Sequence, residues 1–80
     1  MNKDWVLFHL QETKEELDRT ILEIKSDPEF DNPTFYVAIQ HMYHHLNTAW
    51  NSQDETPERT YQGSEKDFHD WRQFPKVFDM

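Results

Sequence analysis

Apolar residues in the first third of the chain recur at helical spacing. They are Leu7, Leu10, Leu17, Ile21 and Ile24. At about 3.6 residues per turn these positions share one side of a helix, with Lys14 standing where a further apolar residue would fall. Pro28 cannot continue a helical hydrogen-bond ladder and disfavours helical geometry in the residue before it. The pattern predicts a helix over residues 3–26 whose apolar stripe faces a neighbour.

The second periodic stretch, residues 32–53, contains no Asp, Glu, Lys or Arg. Its apolar positions also follow helical spacing: Phe35, Ile39, Met42, Leu46 and Ala49. Asn32 is a favoured N-cap, and Pro33 suits the first helical turn because its missing N–H has no partner there. We therefore expect a helix over residues 33–52, surrounded by the rest of the chain. Since the connection between the two helices is short, they should pack as an antiparallel hairpin.

The C-terminal third lacks a long periodic pattern. Residues 53–63 are polar and predict a loop, whereas Ser64 followed by Asp67 resembles a capping box that opens a short helix over residues 64–74. The remaining tail is residues 75–80. Phe68, Trp71 and Phe74 are too apolar to stay in water, so this region should fold back on its own hairpin or, alternatively, pack on another subunit.

The predicted fold is all-α and forms one small domain over residues 1–80. A hairpin and one short helix cover the uncharged helix incompletely, and the usual solution is a symmetric homodimer in which two hairpins form a four-helix bundle. Aromatic residues at seven-residue intervals follow one flank of the uncharged helix. Together with Trp71 they are the expected anchors for a second subunit or another protein: Tyr36, Tyr43, Trp50 and Trp71. The sequence leaves open whether this flank faces a second subunit or the tail.

Charge and composition exclude several partners and compartments. The formal net charge is -8, from 16 acidic and 8 basic residues, which argues against nucleic acid and anionic membrane as partners. The chain has no cysteine, so disulfides and thiolate metal sites are excluded. The first residues lack a cationic region followed by an apolar run, and we therefore expect a cytoplasmic protein.

The residues do not form a recognisable catalytic motif. A single glycine excludes the glycine-rich loops that cradle phosphates, and the serines stand at predicted helix ends rather than beside a histidine. Adjacent carboxylates such as Glu15 and Glu16 are expected in solvent, where their acidity is ordinary. The sequence therefore predicts no enzyme and no cofactor, and a non-enzymatic protein interaction or regulatory module is the preferred function.

Histidines offer the alternative function. His41 and His45 are spaced i,i+4, which brings two imidazoles to one helix face, and His9 on the first helix could join them across the hairpin. Such a set could bind a divalent transition metal such as zinc or iron. The competing interpretation is that His41 and His45 form hydrogen bonds at a helix boundary. Without a metal, protonation of His41, His44 and His45 near pH 6 would place charges on an otherwise neutral helix, and acidification should loosen the assembly if that helix is buried.

Overall fold

The computed structural model describes residues 1–78, which form four helices and no strand. The helices are α1 (Lys3–Ser26), α2 (Asn32–Asn51), α3 (Pro57–Gln62) and α4 (Glu65–Trp71). The prediction of an all-α fold with two long helices packed together is confirmed. The first helix begins and ends at the predicted residues.

The two long helices run antiparallel, and hydrogen bonds near the start of α1 fix their register. The backbone N–H of Asn2 donates to the carbonyl of Gln53 at 2.7 Å. The indole N–H of Trp5 donates to Oγ of Ser52 at 2.8 Å. Because each pair joins the beginning of one helix to the end of the other, residues with numbers that sum to about 56 lie opposite each other along the hairpin.

Side-chain caps define the start of each long helix. Oδ1 of Asn2 accepts from the backbone N–H of Trp5, which satisfies one of the free N–H groups of the first turn of α1. The cap of α2 is Asp31, which accepts from both the backbone N–H and the hydroxyl of Thr34. The prediction that Asn32 is the N-cap is therefore wrong by one residue, because the Asp31 carboxylate is the stronger acceptor at a helix N-terminus.

The predicted loop over residues 53–63 is wrong in its second half, where α3 forms. Thr56 caps this helix by accepting from the backbone N–H of Arg59, and Pro57 occupies its first turn. None of its residues is buried, and Tyr61 is almost fully exposed. Hydrophobic periodicity could not reveal a helix that buries no face, although the Thr-Pro pair is a helix start signal.

The short C-terminal helix begins as predicted and ends early. Ser64 and Asp67 form the complete capping box, each side chain accepting from the other's backbone N–H. The helix ends at Trp71, three residues before the predicted end of 64–74. At this end, the carbonyls of residues 71–73 are bound by side chains of α2.

Two asparagine side chains of α2 bind those carbonyls. Nδ2 of Asn51 donates to the carbonyls of Trp71 at 2.7 Å and of Gln73 at 2.6 Å. Nδ2 of Asn47 donates to the carbonyl of Arg72 at 2.9 Å. The last carbonyls of any helix lack partners within it, so these amides satisfy them and hold α4 against α2.

Replacing Asn51 by Ala should weaken the docking of α4. The substitution removes two amide hydrogen bonds, and we expect the free energy of unfolding to fall by about 1 kcal/mol. Urea unfolding followed by Trp fluorescence measures this loss. Gln40→Ala is the matched control, because it removes an exposed amide from the same helix. Equal stability of the two variants would contradict the capping role.

The interior contains few apolar residues. Within residues 1–78, the buried ones are Ala38, Met42, Ala49, Trp71 and Pro75. The side of α1 that meets α2 is polar, with His9, Glu16 and Thr20 buried. The predicted apolar stripe of α1 is therefore not buried by α2 within one chain, and its prediction to face a neighbour stays a prediction. The small side chains of Ala38 and Ala49 let the polar side of α1 approach α2. The apolar stripe of α1 then lies beside this contact and stays partly exposed.

The described part of the tail returns to its own chain, as preferred from the sequence. The rings of Tyr43 and Phe74 lie 6.3 Å apart, and those of Trp50 and Phe78 lie 4.9 Å apart. Residues 79 and 80 of the predicted tail lie outside the described residues. The outer flank of α2 is therefore partly covered by residues 74–78.

Candidate functional site

One side of the hairpin carries the apolar stripes of both long helices, and we name it the apolar face. Val6 takes the place of the predicted Leu7, which is more exposed, and Trp50 joins the stripe of α2. The face consists of Val6, Leu10, Leu17, Ile21 and Ile24 of α1 and Phe35, Ile39, Met42, Leu46, Ala49 and Trp50 of α2. Seven of its larger side chains are between 41% and 52% exposed. This uniform half-exposure means that each packs one side against the hairpin and leaves the other side open.

A groove of about 390 Å³ lies at one end of the apolar face. Its lining is almost wholly apolar: Met1, Val6, Leu10, Leu46, Ala49, Trp50, Gln53 and Phe78. Residues from the beginning of α1 and the end of α2 thus meet here. The groove shows that the two stripes form one continuous surface across the hairpin.

Acidic side chains of the long helices lie away from the apolar face. At about 100° per residue, the stripe of α1 spans an arc of about 60°, and no Asp or Glu of this helix falls within it. The stripe of α2 has none either, since that helix contains no Asp or Glu. Lys14 stands at the margin. In a chain of net charge -8, this side is therefore free of carboxylates from both long helices.

The chain exposes more surface than a compact monomer of its mass. Its accessible area is 6353 Å², whereas a folded monomer of 9.8 kDa is expected to expose about 5,200 Å². Its radius of gyration is 14.4 Å, against about 12 Å expected for 80 residues. An open two-helix layer accounts for both differences, because one side of each long helix has no partner layer.

The four predicted aromatic anchors do not share a surface. Tyr36, Tyr43 and Trp50 follow the outer flank of α2 and are exposed, although Tyr43 and Trp50 contact the tail. Trp71 is only 7% exposed and packs against Trp5 with ring centroids 6.3 Å apart. Trp71 is therefore a core residue that joins α4 to α1, and its prediction as a surface anchor is corrected.

The predicted histidines come together between the two long helices, in a series that we name the histidine row: His9, His45 and His41. Nδ1 of His9 lies 2.9 Å from Nδ1 of His45. The rings of His41 and His45 are 5.0 Å apart, and Nδ1 of His41 is 3.6 Å from Oε2 of Glu16. Glu16 also accepts from Arg19. Within residues 1–78, no three His, Asp or Glu side chains are already arranged to hold a metal ion.

His9 is the buried end of the row. It is 7% exposed, and its Nε2 has no hydrogen-bond partner in the described chain. Burial, with a smaller contribution from the nearby His45, lowers the pKa of His9 from 6.5 to about 4. Trp5 packs edge-to-face on the imidazole, with centroids 4.4 Å apart. His9 is therefore neutral at pH 7. The contact with Trp5 was not predicted from the sequence, although Trp5 lies four positions before His9 and so falls on the same side of α1.

The other histidines differ in their surroundings. Burial is the main cause that lowers the pKa of both His45 and His44, followed by repulsion from His41 for the former and from Arg72 for the latter. His69 lies on α4, where it contacts Arg72 and Gln73 instead of the row. The row therefore has three members.

No protein-family model, curated protein or solved structure matches this chain. Among the described residues, every helix is too short or too polar to cross a bilayer. The function must therefore be inferred from the chain's own surfaces and contacts.

Proposed function

We propose that the protein is a non-enzymatic interaction module whose apolar face binds a second copy of the chain, so that two hairpins form a four-helix bundle. The observation that carries the proposal is the half-exposure of both apolar stripes along one side of the hairpin. Contiguous apolar surface on this scale marks interaction sites in soluble proteins. On this proposal, the two long helices of the second copy cover the apolar face.

The surface area supports a partner of this size. The accessible area exceeds that of a compact monomer of equal mass by roughly 1,000 Å². A stable interface removes about 800 Å² from each partner. Covering the apolar face of one chain with another would therefore bring the exposed area per chain to the value typical of a compact protein.

Charge favours a second copy at this face. Two chains of net charge -8 repel each other, and they approach at least cost where helical carboxylates are absent. The apolar face meets that condition on both helices. Because a two-fold axis places the same surface on both sides, each stripe can be buried by an equivalent stripe. The resulting bundle would bury the half-exposed leucines and isoleucines from both chains.

Leu17 and Leu22 provide a matched test on one helix. Leu17 lies in the middle of the apolar face, whereas Leu22 is exposed on the other side of α1. Leu17→Lys should raise the dissociation constant of the dimer at least about 100-fold, because it places two unpaired ammonium groups, one from each chain, in an apolar interface at a combined cost of about 3 kcal/mol or more. Leu22→Lys should leave the constant within about threefold of the original.

Analytical ultracentrifugation of both variants at equal concentrations measures the constants. Far-UV circular dichroism should show equal helix content, which separates dissociation from unfolding. Equal dissociation constants for the two variants would contradict a dimer formed through the apolar face. A monomeric original protein would contradict the second copy as occupant and would leave another protein as the partner of this face.

A further inference from the structure

The two ends of the apolar face differ in shape. The groove of about 390 Å³ lies at the end formed by the beginning of α1 and the end of α2. At the other end Phe35 is 44% exposed, and the ring of Phe30 packs on it with centroids 6.4 Å apart. The backbone N–H of Phe30 donates to the carbonyl of Asp27 at 3.1 Å, so the connection between the helices holds this ring in place. The face therefore has a supported aromatic side chain at one end and an apolar groove at the other.

We propose that the second copy pairs antiparallel to the first, so that Phe35 of each chain enters the apolar groove of the other. This pairing depends on the proposed dimer and adds to it which side chain fits which surface. The groove is then a site for an aromatic side chain that the second copy contributes. Aromatic residues are enriched at the buried centres of protein interfaces, where they fill such apolar spaces.

The positions of the groove and of Phe35 along the hairpin fit this pairing. The middle of α1 lies between residues 14 and 15, and the middle of α2 lies between residues 41 and 42. A two-fold axis across the hairpin at this level lets the helices overlap over their full length, and it places residue 8 opposite residue 21 of the other copy and residue 48 opposite residue 35. The groove is centred at residues 8 and 48, because its helical lining comes from positions 6, 10, 46, 49 and 50. Full overlap therefore brings Phe35 of the second copy to the groove without a shift in register.

The alternative is a two-fold axis along the hairpin, which makes the two hairpins point in the same direction. Each groove then faces the other groove, and Phe35 faces Phe35 of the second copy. The two grooves would form an unfilled apolar space in the interface, and such a space is destabilising because its lining loses packing contacts. Antiparallel pairing fills each groove with a side chain instead, so shape favours it.

Charge at the ends of the hairpin favours the same arrangement. The connection between α1 and α2, residues 27–31, carries three carboxylates and no base: Asp27, Glu29 and Asp31. The opposite end carries both signs, since Lys3 stands there with Asp4 and Asp54. Parallel pairing sets the two acidic connections side by side, whereas antiparallel pairing separates them by the length of α1, about 36 Å. That separation exceeds the screening length of about 10 Å at 0.1 M salt, so the connections no longer repel each other.

The distance between two spin labels tests the direction of pairing. The chain has no cysteine, so Glu29→Cys gives one labelling site per chain at an exposed position of the connection. Double electron–electron resonance should give about 35 Å or more between the nitroxides, because antiparallel pairing places them at opposite ends of the bundle. Parallel pairing would give less than about 25 Å, because neighbouring helices lie about 10 Å apart and the label tethers add little more. Lys14→Cys is the matched control, since it lies at the level of the axis and should give a short distance with either pairing.

Sedimentation of the same samples separates failure of the pairing from failure of the dimer. A dimer with the long Glu29→Cys distance supports the antiparallel pairing. A dimer with the short distance overturns it and leaves the dimer formed through the apolar face intact. A monomeric original protein overturns the dimer, and the pairing with it.

Substitutions at the groove give a second test that needs no label. Val6→Phe fills the groove from its own chain, so it should exclude Phe35 of the second copy and raise the dissociation constant about tenfold or more. In the Phe35→Ala background the same change should alter the constant by about threefold or less, because the side chain that it excludes is gone. Circular dichroism checks that each variant keeps its helix content. An equal effect of Val6→Phe in both backgrounds would overturn the contact between Phe35 and the groove.

Discussion

Lowering the pH from 7 to 4 should reduce the free energy of unfolding by about 3 kcal/mol through His9 alone. The pKa of His9 is lowered from 6.5 to about 4 in the folded chain, mainly by burial. The unfolded chain therefore binds a proton more readily, and stability that is present above about pH 6.5 is lost as the pH falls towards 4. The lowered pKa values of His44 and His45 act in the same direction.

Urea unfolding at a series of pH values, in the presence of a chelator, measures this loss. His9→Gln should flatten the dependence between pH 6.5 and 4, since glutamine carries no charge at either end of the range. His69→Gln is the matched control, because His69 lies outside the histidine row, and it should keep the original slope. A slope in His9→Gln equal to that of the original protein would show that another group carries the acid sensitivity.

Trp71→Ala should be the most destabilising replacement of an aromatic residue. Within residues 1–78, Trp71 is the only Trp, Tyr or Phe that is buried, and it contacts Trp5 and Phe68. Removing a buried tryptophan costs about 3–5 kcal/mol, which is a large part of the stability of a small domain. Because Trp71 joins α4 to α1, we also expect helix content to fall in the C-terminal third.

Trp50→Ala is the comparison, because Trp50 lies half-exposed on the apolar face. Both substitutions should be made in the Leu17→Lys background, so that dimer dissociation does not enter the measured stability. There Trp50→Ala should cost less than about 1.5 kcal/mol, and Trp71→Ala should cost at least twice as much. If the two losses are equal, the assignment of Trp71 to the core and Trp50 to the surface is wrong.

The sequence predicted the long helices well because their signals are local. Ser26 ends α1 where Pro28 requires it, and Ser64 with Asp67 starts α4 by a capping box. The end of α4, in contrast, lies in a region of tertiary contacts that the local sequence does not indicate. The carbonyls at the end of α4 are bound by the amides of Asn47 and Asn51, which lie 20 or more positions away in the chain.

For the histidine row, the sequence indicated which residues belong together but not how they are arranged. The i,i+4 spacing identified His41 and His45, and the hairpin brought His9 to them. Which side of α1 meets α2 was not visible, because an apolar stripe normally marks the buried side. Here that rule fails for Leu17 within one chain, since the polar side with Glu16 packs on α2. On our proposal, a second copy would restore the rule by burying the stripe.

Sedimentation equilibrium of the original protein, at several concentrations and with a chelator present, tests the dimer most directly. The apolar face predicts a particle of about 19.6 kDa, twice the 9.8 kDa of one chain, that dissociates only on dilution. A mass of 9.8 kDa that persists at high micromolar concentration would contradict the proposal that the chain is half of a four-helix bundle.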